Sequence, residues 1–248
     1  MGKKLGQILL AILFLLGLTL FSYPYAHELL VKRQMESTVK IFEEQKETRP
    51  TSVENPDSTQ PSEQRLYPEL WADVTAYNEA IFAQGQSGLS CKLDYQQPSF
   101  YLADYGLKEE IFGVIDIPAM ELSMPIYLGA TNQHMADGAA HLSQTSLPIG
   151  GANTNSVIAG HRGYSGASYF RYIDKLTIGD TVTVTNLWEK LTYRVAEIKI
   201  IYPYEVDEIL IQPGRELLTL LTCHPYASGG KQRYLVICER VKEEDSYG

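Results

Sequence analysis

Thr222-Cys223 stands where a reactive thiol would stand. Five apolar or β-branched residues, Leu217 to Leu221, run straight into it, and turn-forming residues follow through Gly229-Gly230. Arg233 then opens a second apolar run, Tyr234–Cys238. The pattern describes a buried strand that delivers a thiol to its end, a loop, and a strand that presents a cation. Cysteine attacks only as thiolate, and a positive neighbour favours that form. A guanidinium keeps its charge and carries several donors, so Arg233 suits both a bound peptide backbone and a developing oxyanion.

Such a nucleophile needs an imidazole within reach in space. The chain has five histidines. His27 and His134 lie in polar surroundings and are expected to face solvent. His224 adjoins Cys223, but neighbours on a strand point to opposite faces. His161 ends the apolar run Ser156–Gly160 and is followed by Arg162-Gly163, so it also stands at a strand end. His141 precedes Leu142 and reads equally as a hydrogen-bonded core group. His161 ranks first and His141 second. Cys238 lies inside its apolar run and reads as a small buried hydrophobe. Cys91 falls in an aromatic connector, and its pairing with Cys238 stays open.

The elements that must position these residues follow from the rest of the chain. The 248 residues suffice for one sizeable domain with appendages. A net charge of −9 argues against a nucleic-acid partner. No Cys or His spacing suits structural zinc, and no metal or cofactor is expected.

Lys3-Lys4 make a short cytoplasmic tail (1–4) before Leu5–Tyr25, and Ile8–Phe21 carries no charge. About 20 apolar residues cross a bilayer core of roughly 30 Å. A retained signal-anchor is favoured over a cleaved signal peptide, because no good small-residue cleavage site follows. Lysines before the span favour a cytoplasmic N-terminus, with the remaining chain outside. Residues 26–69 comprise an amphipathic helix carrying Leu30, Val31, Met35, Val39 and Phe42, then a Pro-, Ser- and Glu-rich stalk over Thr48–Arg65. Residues 70–242 form the globular domain, and 243–248 a polar tail. Within it, residues 70–110 hold a helix ending near Gly85 and an aromatic segment, Cys91–Gly106, that serves as a lid or as a connector. From Ile111 onward at least seven short strands predict a closed barrel or a sandwich. Asn132–His141 is expected to be a helical turn, and Ser168–Ile173 a short helix capped by Ser168.

At this point the chain resembles the sortases, specifically the class C, pilus-building group. Thr219-Leu220-Leu221-Thr222-Cys223 matches the Thr-Leu-x-Thr-Cys signature, Arg233 fits the family's arginine, and Ala159-Gly160-His161-Arg162-Gly163 fits the segment that carries its histidine. The likeness extends over roughly Tyr77 to Val241. It implies a mainly β, eight-stranded sortase-type barrel. It implies cleavage between Thr and Gly of a Leu-Pro-x-Thr-Gly-like sorting signal, with Cys223 as nucleophile, His161 as proton donor and Arg233 as oxyanion support. The partners it implies are pilin or surface-protein substrates and an amine, from a pilin lysine or a cell-wall peptide, that resolves the thioacyl enzyme. Thr222 and His141 are carried as substrate-binding candidates.

Two features depart from the class C pattern. Cys91–Gly106 lacks the Asp-Pro-aromatic triplet of a class C lid, and the loop from Cys223 to Arg233 is about one residue longer than usual. The rival readings are attachment of surface proteins to the wall, a hydrolytic thiol protease, and a non-catalytic pilus-assembly module.

Overall fold

The computed structural model describes residues 2–47, 65–89, 96–164 and 167–241. The Thr48–Arg65 stalk, Cys91 and the polar tail fall wholly or almost wholly outside these residues. The first element is one unbroken helix, α1 (Gly2–Glu47), which runs through Pro24. The apolar span and the amphipathic segment are therefore a single rod. Its second half does not stand away from the domain. Met35 and Phe42 are buried, and Val31 and Val39 pack beside them on the barrel. Helix α2 (Pro68–Ala83) buries Leu70, Val74, Asn78 and Ile81.

Eight strands follow: β1 (Ile111–Ile117), β2 (Leu122–Leu128), β3 (Ala139–His141), β4 (Thr154–Ala159), β5 (Thr181–Asn186), β6 (Lys190–Ile201), β7 (Glu216–His224) and β8 (Gln232–Arg240). They close into a barrel in the order β1-β2-β3-β4-β7-β8-β6-β5. Closure leaves no unpaired sheet edge. Alternation sorts the side chains into two populations. Ile158, Leu218, Leu220, Val236 and Cys238 belong to the cluster inside the barrel. Val157, Ala159, Leu217, Leu221, Leu235 and Ile237 face outward into a second cluster, which Ile209 of the β6–β7 connection helps to cover.

Two expectations are corrected here. The segment read as one helical turn holds a helix, α3 (Asn132–Asp137), and then the short strand β3. Three residues cannot display an alternation, so β3 is visible only through its partners. Ser168–Ile173 is a turn leading into a 3-10 helix over Ile173–Lys175, and Ser168 caps nothing. Its hydroxyl instead donates to the carboxylate of Glu28 on α1.

The direction of α1 follows from its contacts. Glu28 meets Ser168 in the β4–β5 connection, Met35 joins the inner cluster with Ile117 and Met120, and Phe42 packs with Leu70, Leu107 and Phe112. β4 ends beside the Cys223 end of β7, so α1 runs from that end of the barrel to the opposite one.

Phe42→Ala should lower unfolding stability by about 3–5 kcal/mol, the usual cost of emptying a fully buried phenylalanine site. Glu43→Ala, on the exposed side of the same turn, should change it by less than about 0.5 kcal/mol. Urea titration of the detergent-solubilised chain checks both. Equal effects would mean that α1 does not dock.

Candidate functional site

Strands β4 and β7 run parallel, with Val157 opposite Thr219 and Ala159 opposite Leu221. The pairing continues past the end of β4. The Gly160 N–H donates to the Leu221 carbonyl at 3.0 Å, and Thr222 Oγ1 donates to the Gly160 carbonyl at 2.6 Å. One step further, Arg162 Nη1 donates to His224 Nδ1 at 2.7 Å. The same register sets His161 beside Cys223 on neighbouring chains, whose spacing in a sheet is about 4.8 Å. Cys223 in turn lies opposite Arg233 across the antiparallel β7–β8 pair.

Side-chain parity puts all three on one face. Val157 and Ala159 precede His161, Thr219 and Leu221 precede Cys223, and Leu235 and Ile237 follow Arg233; the apolar members of these rows face the outer cluster. A thiol, an imidazole and a guanidinium therefore share one face, at the end of outward-facing apolar rows that are themselves buried. Gly160 leaves room for the Phe170 ring to pack against the end of β4, since a Cβ there would lie 2.6 Å from it. Gly230 does the same over the thiol. A Cβ on it would sit 3.1 Å from both Cys223 Sγ and Arg233 Nη1, and its backbone has φ +78°.

Each group has its own environment. Cys223 is a free, partly exposed thiol. His161 is partly buried, stacked on Tyr164 with centroids 4.4 Å apart and edge-on to Tyr169 at 6.2 Å. Burial holds its pKa below the ordinary histidine value. The neutral imidazole is thus the majority form at neutral pH, and the proton it can donate is weakly held. Arg233 Nη1 donates to the carbonyls of Gly230 at 2.6 Å and Gln232 at 3.1 Å. These bonds aim the guanidinium along the β7–β8 loop.

Both substrate-binding candidates are engaged inside the fold. Thr222 is 1% exposed, and its hydroxyl is spent on the Gly160 carbonyl, so it ties the two strands. His141 is fully buried on β3, with Nε2 3.0 Å from the Ser146 carbonyl, 3.2 Å from that of Thr145 and 3.1 Å from Thr145 Oγ1. Carbonyls only accept, so Nε2 carries the proton. Burial drives the His141 pKa down to about 4, against the raising effect of the Thr145 and Ser146 carbonyls. His141 is a clamp on the β3–β4 loop.

Cys238 is buried, and burial lifts its thiol to about 12, which makes it inert. His27 and His134 are half-buried rather than solvent-facing, and His134 stacks on Tyr127. Residues 96–106 pack at the opposite end of the barrel from Cys223. Ser143 Oγ donates to the Gln97 carbonyl, Ser99 bonds Tyr77, and Phe100 packs edge-on to Tyr77. This part of the aromatic segment is a connector, not a lid.

Arg162 is the group that sequence reading passed over. It is 8% exposed, bonds His224, lies 3.4 Å from Asp174 and sits over the Tyr234 ring at 5.2 Å. Arginine can only donate, so His224 Nδ1 accepts and stays unprotonated; partial burial and then Arg162 both lower the His224 pKa. Arg162 therefore joins the residue after the histidine to the residue after the cysteine. Its place directly behind His161 was the available signal. A separate cleft lined by Arg194, Arg215, Glu216, Glu239 and Arg240 lies at the opposite end. Four of these five charges pair with one another, Arg215 with Glu239 at 3.1 Å and Arg240 with Glu216 at 3.2 Å.

Comparison with known proteins points the same way. A family model described as a sortase domain matches residues 115–241. Sortase D of Bacillus subtilis (strain 168) is 28% identical over 131 residues, which are 52% of this chain and 63% of that protein. Sortase A of Streptococcus agalactiae serotype III is 32% identical over 117 residues, 46% of this chain and 47% of that one. The chain thus matches from about half to just under two thirds of the length of these curated relatives. Among solved structures, sortase C1 of GBS Pilus Island 1 superposes with a TM-score of 0.66 at 28% identity, covering 84% of this chain and 92% of that one. Sortase C-1 from Actinomyces oris does so with a TM-score of 0.61 at 33% identity, covering 71% and 99%.

Two measurements probe this geometry. Gly230→Ala places a methyl group against the thiol and the guanidinium. Alkylation of Cys223 by iodoacetamide should slow about tenfold, equivalent to a barrier higher by about 1.4 kcal/mol. An unchanged rate would mean that the loop does not cover the thiol. The second concerns His141. Unfolded, it takes up a proton as the pH falls through 6.5; folded, it stays neutral to about 4. The unfolded state binds more protons in that window, so its contribution is complete above pH 6.5 and shrinks as the pH falls towards 4, by about 3 kcal/mol in all. His141→Gln should flatten that part of the stability–pH curve, measured by denaturant titration at several pH values.

Proposed function

For a chain that belongs to the sortase family, we propose the reaction of a membrane-anchored cysteine transpeptidase, with Cys223 as nucleophile, His161 as proton donor and Arg233 as oxyanion support. The observation that carries this reading is the shared register of β4 and β7, which sets His161 beside Cys223, with Arg233 opposite the thiol on β8. The bound acyl donor is a sorting signal of the Leu-Pro-x-Thr-Gly type. In this reading its extended backbone lies in a groove that begins at Cys223 and Arg233 and has the β6–β7 connection as its wall.

The Cys223 thiolate attacks the threonine carbonyl carbon. The electron pair moves to the carbonyl oxygen, and the free N–H groups of Arg233 stabilise the oxyanion. Collapse re-forms the carbonyl and breaks the C–N bond. His161, as imidazolium, gives its proton to the departing glycine amine. A second amine then attacks the thioester, passes a proton to the now neutral His161 and releases the thiolate. Depression of the His161 pKa by burial makes the imidazolium a strong donor but a scarce form, so few enzyme molecules are poised at any moment.

The resolving amine in this reading is a pilin lysine, and repeated turnover polymerises pilins through isopeptide bonds. Similarity to a sortase C1 of a pilus island supports that assignment. The apolar window within α1, mean hydropathy 2.3 and without buried residues, serves in this reading as a membrane span, with the barrel on the extracellular side.

Incubating the purified chain with a sorting peptide should give a Cys223 thioacyl adduct visible by mass spectrometry, and Cys223→Ala should give none. His161→Ala and Arg233→Ala should each lower kcat/KM by about 10²–10⁴. Arg233→Lys should fail to restore it, because an ammonium lacks the planar fork. Added pilin should yield lysine-linked ladders. Release only by water would make the protein a hydrolase, and release only by a wall-peptide amine would make it a surface-protein anchor.

A further inference from the structure

We propose that the catalytic end of the barrel is a lipid-contacting surface, held against the headgroup layer of the membrane by α1. The proposal rests on the reading of α1 as a membrane span and goes beyond it, because a tether alone leaves the orientation of the barrel free.

The first observation is the continuity and direction of α1. The helix is unbroken from Gly2 to Glu47, and its docked half enters the barrel at the catalytic end. Glu28 binds Ser168 there, seven positions beyond His161, and Met35 and Phe42 lie progressively further away. Tyr23 and Tyr25 close the apolar span and are exposed, as tyrosines at a membrane interface are. Three residues of helix separate Tyr25 from Glu28, a rise of only about 5 Å. Pro24 lies before the docked contact, so any bend it imposes changes the tilt of the span and not this distance. The chain leaves the bilayer and meets the rim of the catalytic end within one helical turn.

The second observation is independent of the helix. The exposed large apolar and aromatic side chains of the barrel domain are concentrated at the catalytic end. Tyr164 and Tyr172 come from the β4–β5 connection, Ile200 stands at the end of β6, Tyr202 and Tyr204 follow it, and Tyr226 lies in the β7–β8 loop. Among the described residues, Phe82, Tyr101 and Ile178, the last next to the Gly179–Val195 hydrogen bond, lie away from that end. Exposed aromatics with polar tips suit the boundary between headgroups and acyl chains. Cations accompany them. Arg171 lies 4.8 Å over the Tyr226 ring, and Lys175 lies 4.9 Å over that of Tyr172. Basic groups of this kind suit anionic lipid, although the whole chain carries a net charge of −9. The tyrosines spread over three separate connections around the rim, a wider footprint than one peptide groove requires.

The test uses the full chain in nanodiscs of phosphatidylcholine and phosphatidylglycerol. Cys91→Ser and Cys223→Ala leave only the buried Cys238 thiol, and one labelling site is then added. An environment-sensitive fluorophore on Tyr172→Cys or Tyr204→Cys should lose its emission to a headgroup-level spin-labelled lipid. The same fluorophore on Tyr101→Cys, at the far end, should keep it. A label on Leu13→Cys reports the span through a lipid spin-labelled deep in the acyl chain. Quenching at Leu13 without quenching at Tyr172 and Tyr204 overturns the lipid-contact surface and leaves the anchor standing. No quenching at Leu13 overturns the anchor and this proposal together. A flexible Gly-Ser insert between Ala26 and His27 should abolish rim quenching while Leu13 stays quenched. Persistence of rim quenching would show that the rim binds lipid without the rod, contrary to the role given to α1.

Discussion

The arrangement at the Cys223 end of this barrel depends on the parallel pairing of β4 with β7. Parallel neighbours need a long crossover, so these strands are joined through β5, β6 and the β6–β7 connection. That detour brings residues 62 positions apart into contact. The alignment is reinforced beyond the ladder by the Gly160–Leu221 and Thr222–Gly160 bonds and by Arg162 on His224. A slip of one residue would turn Cys223 into the barrel and leave His161 outside. Polar contacts off the ladder therefore hold a register on which the proximity of thiol and imidazole depends.

The same economy of polar groups appears in the outer cluster. Asn155 on β4 is buried, donates to the Ile209 carbonyl at 2.9 Å and accepts from Thr219 Oγ1 at 2.8 Å. It pins the β6–β7 connection over the apolar rows that lead to the site. Buried polar groups of this kind are costly unless satisfied, and here satisfaction supplies the groove with its wall. His141 and Thr145 do the same for the β3–β4 loop. A histidine in the core and a histidine at the mouth thus differ by environment alone. One is enclosed by carbonyls, and the other is stacked on Tyr164 beside solvent.

Orientation adds a constraint that is not visible in the barrel itself. A rigid helix that docks along the whole barrel converts a tether into a mount. In the membrane-anchored reading that we propose, its exit at the Cys223 end makes the height of the thiol above the bilayer a property of the fold rather than of a linker.

How much of this was legible beforehand differs from residue to residue. Cys223, Arg233 and His161 stood out because strand-end positions next to turn residues are written in local patterns of apolarity, Gly and Pro. Seven of the strands, α2 and the apolar span were legible on the same grounds. The short strand β3 was not, because its three residues are strand only by virtue of their partners. Nor were the tie made by Thr222, the clamp made by His141, the role of Arg162 or the docking of α1. Each is a contact between segments distant in sequence, and periodicity carries no information about which neighbour a side chain meets. Sequence by itself determined which groups are chemically able to act and where the chain must be buried. Tertiary structure alone decided which of them share a face, because barrel closure and the β4–β7 register bring together groups that the chain keeps far apart.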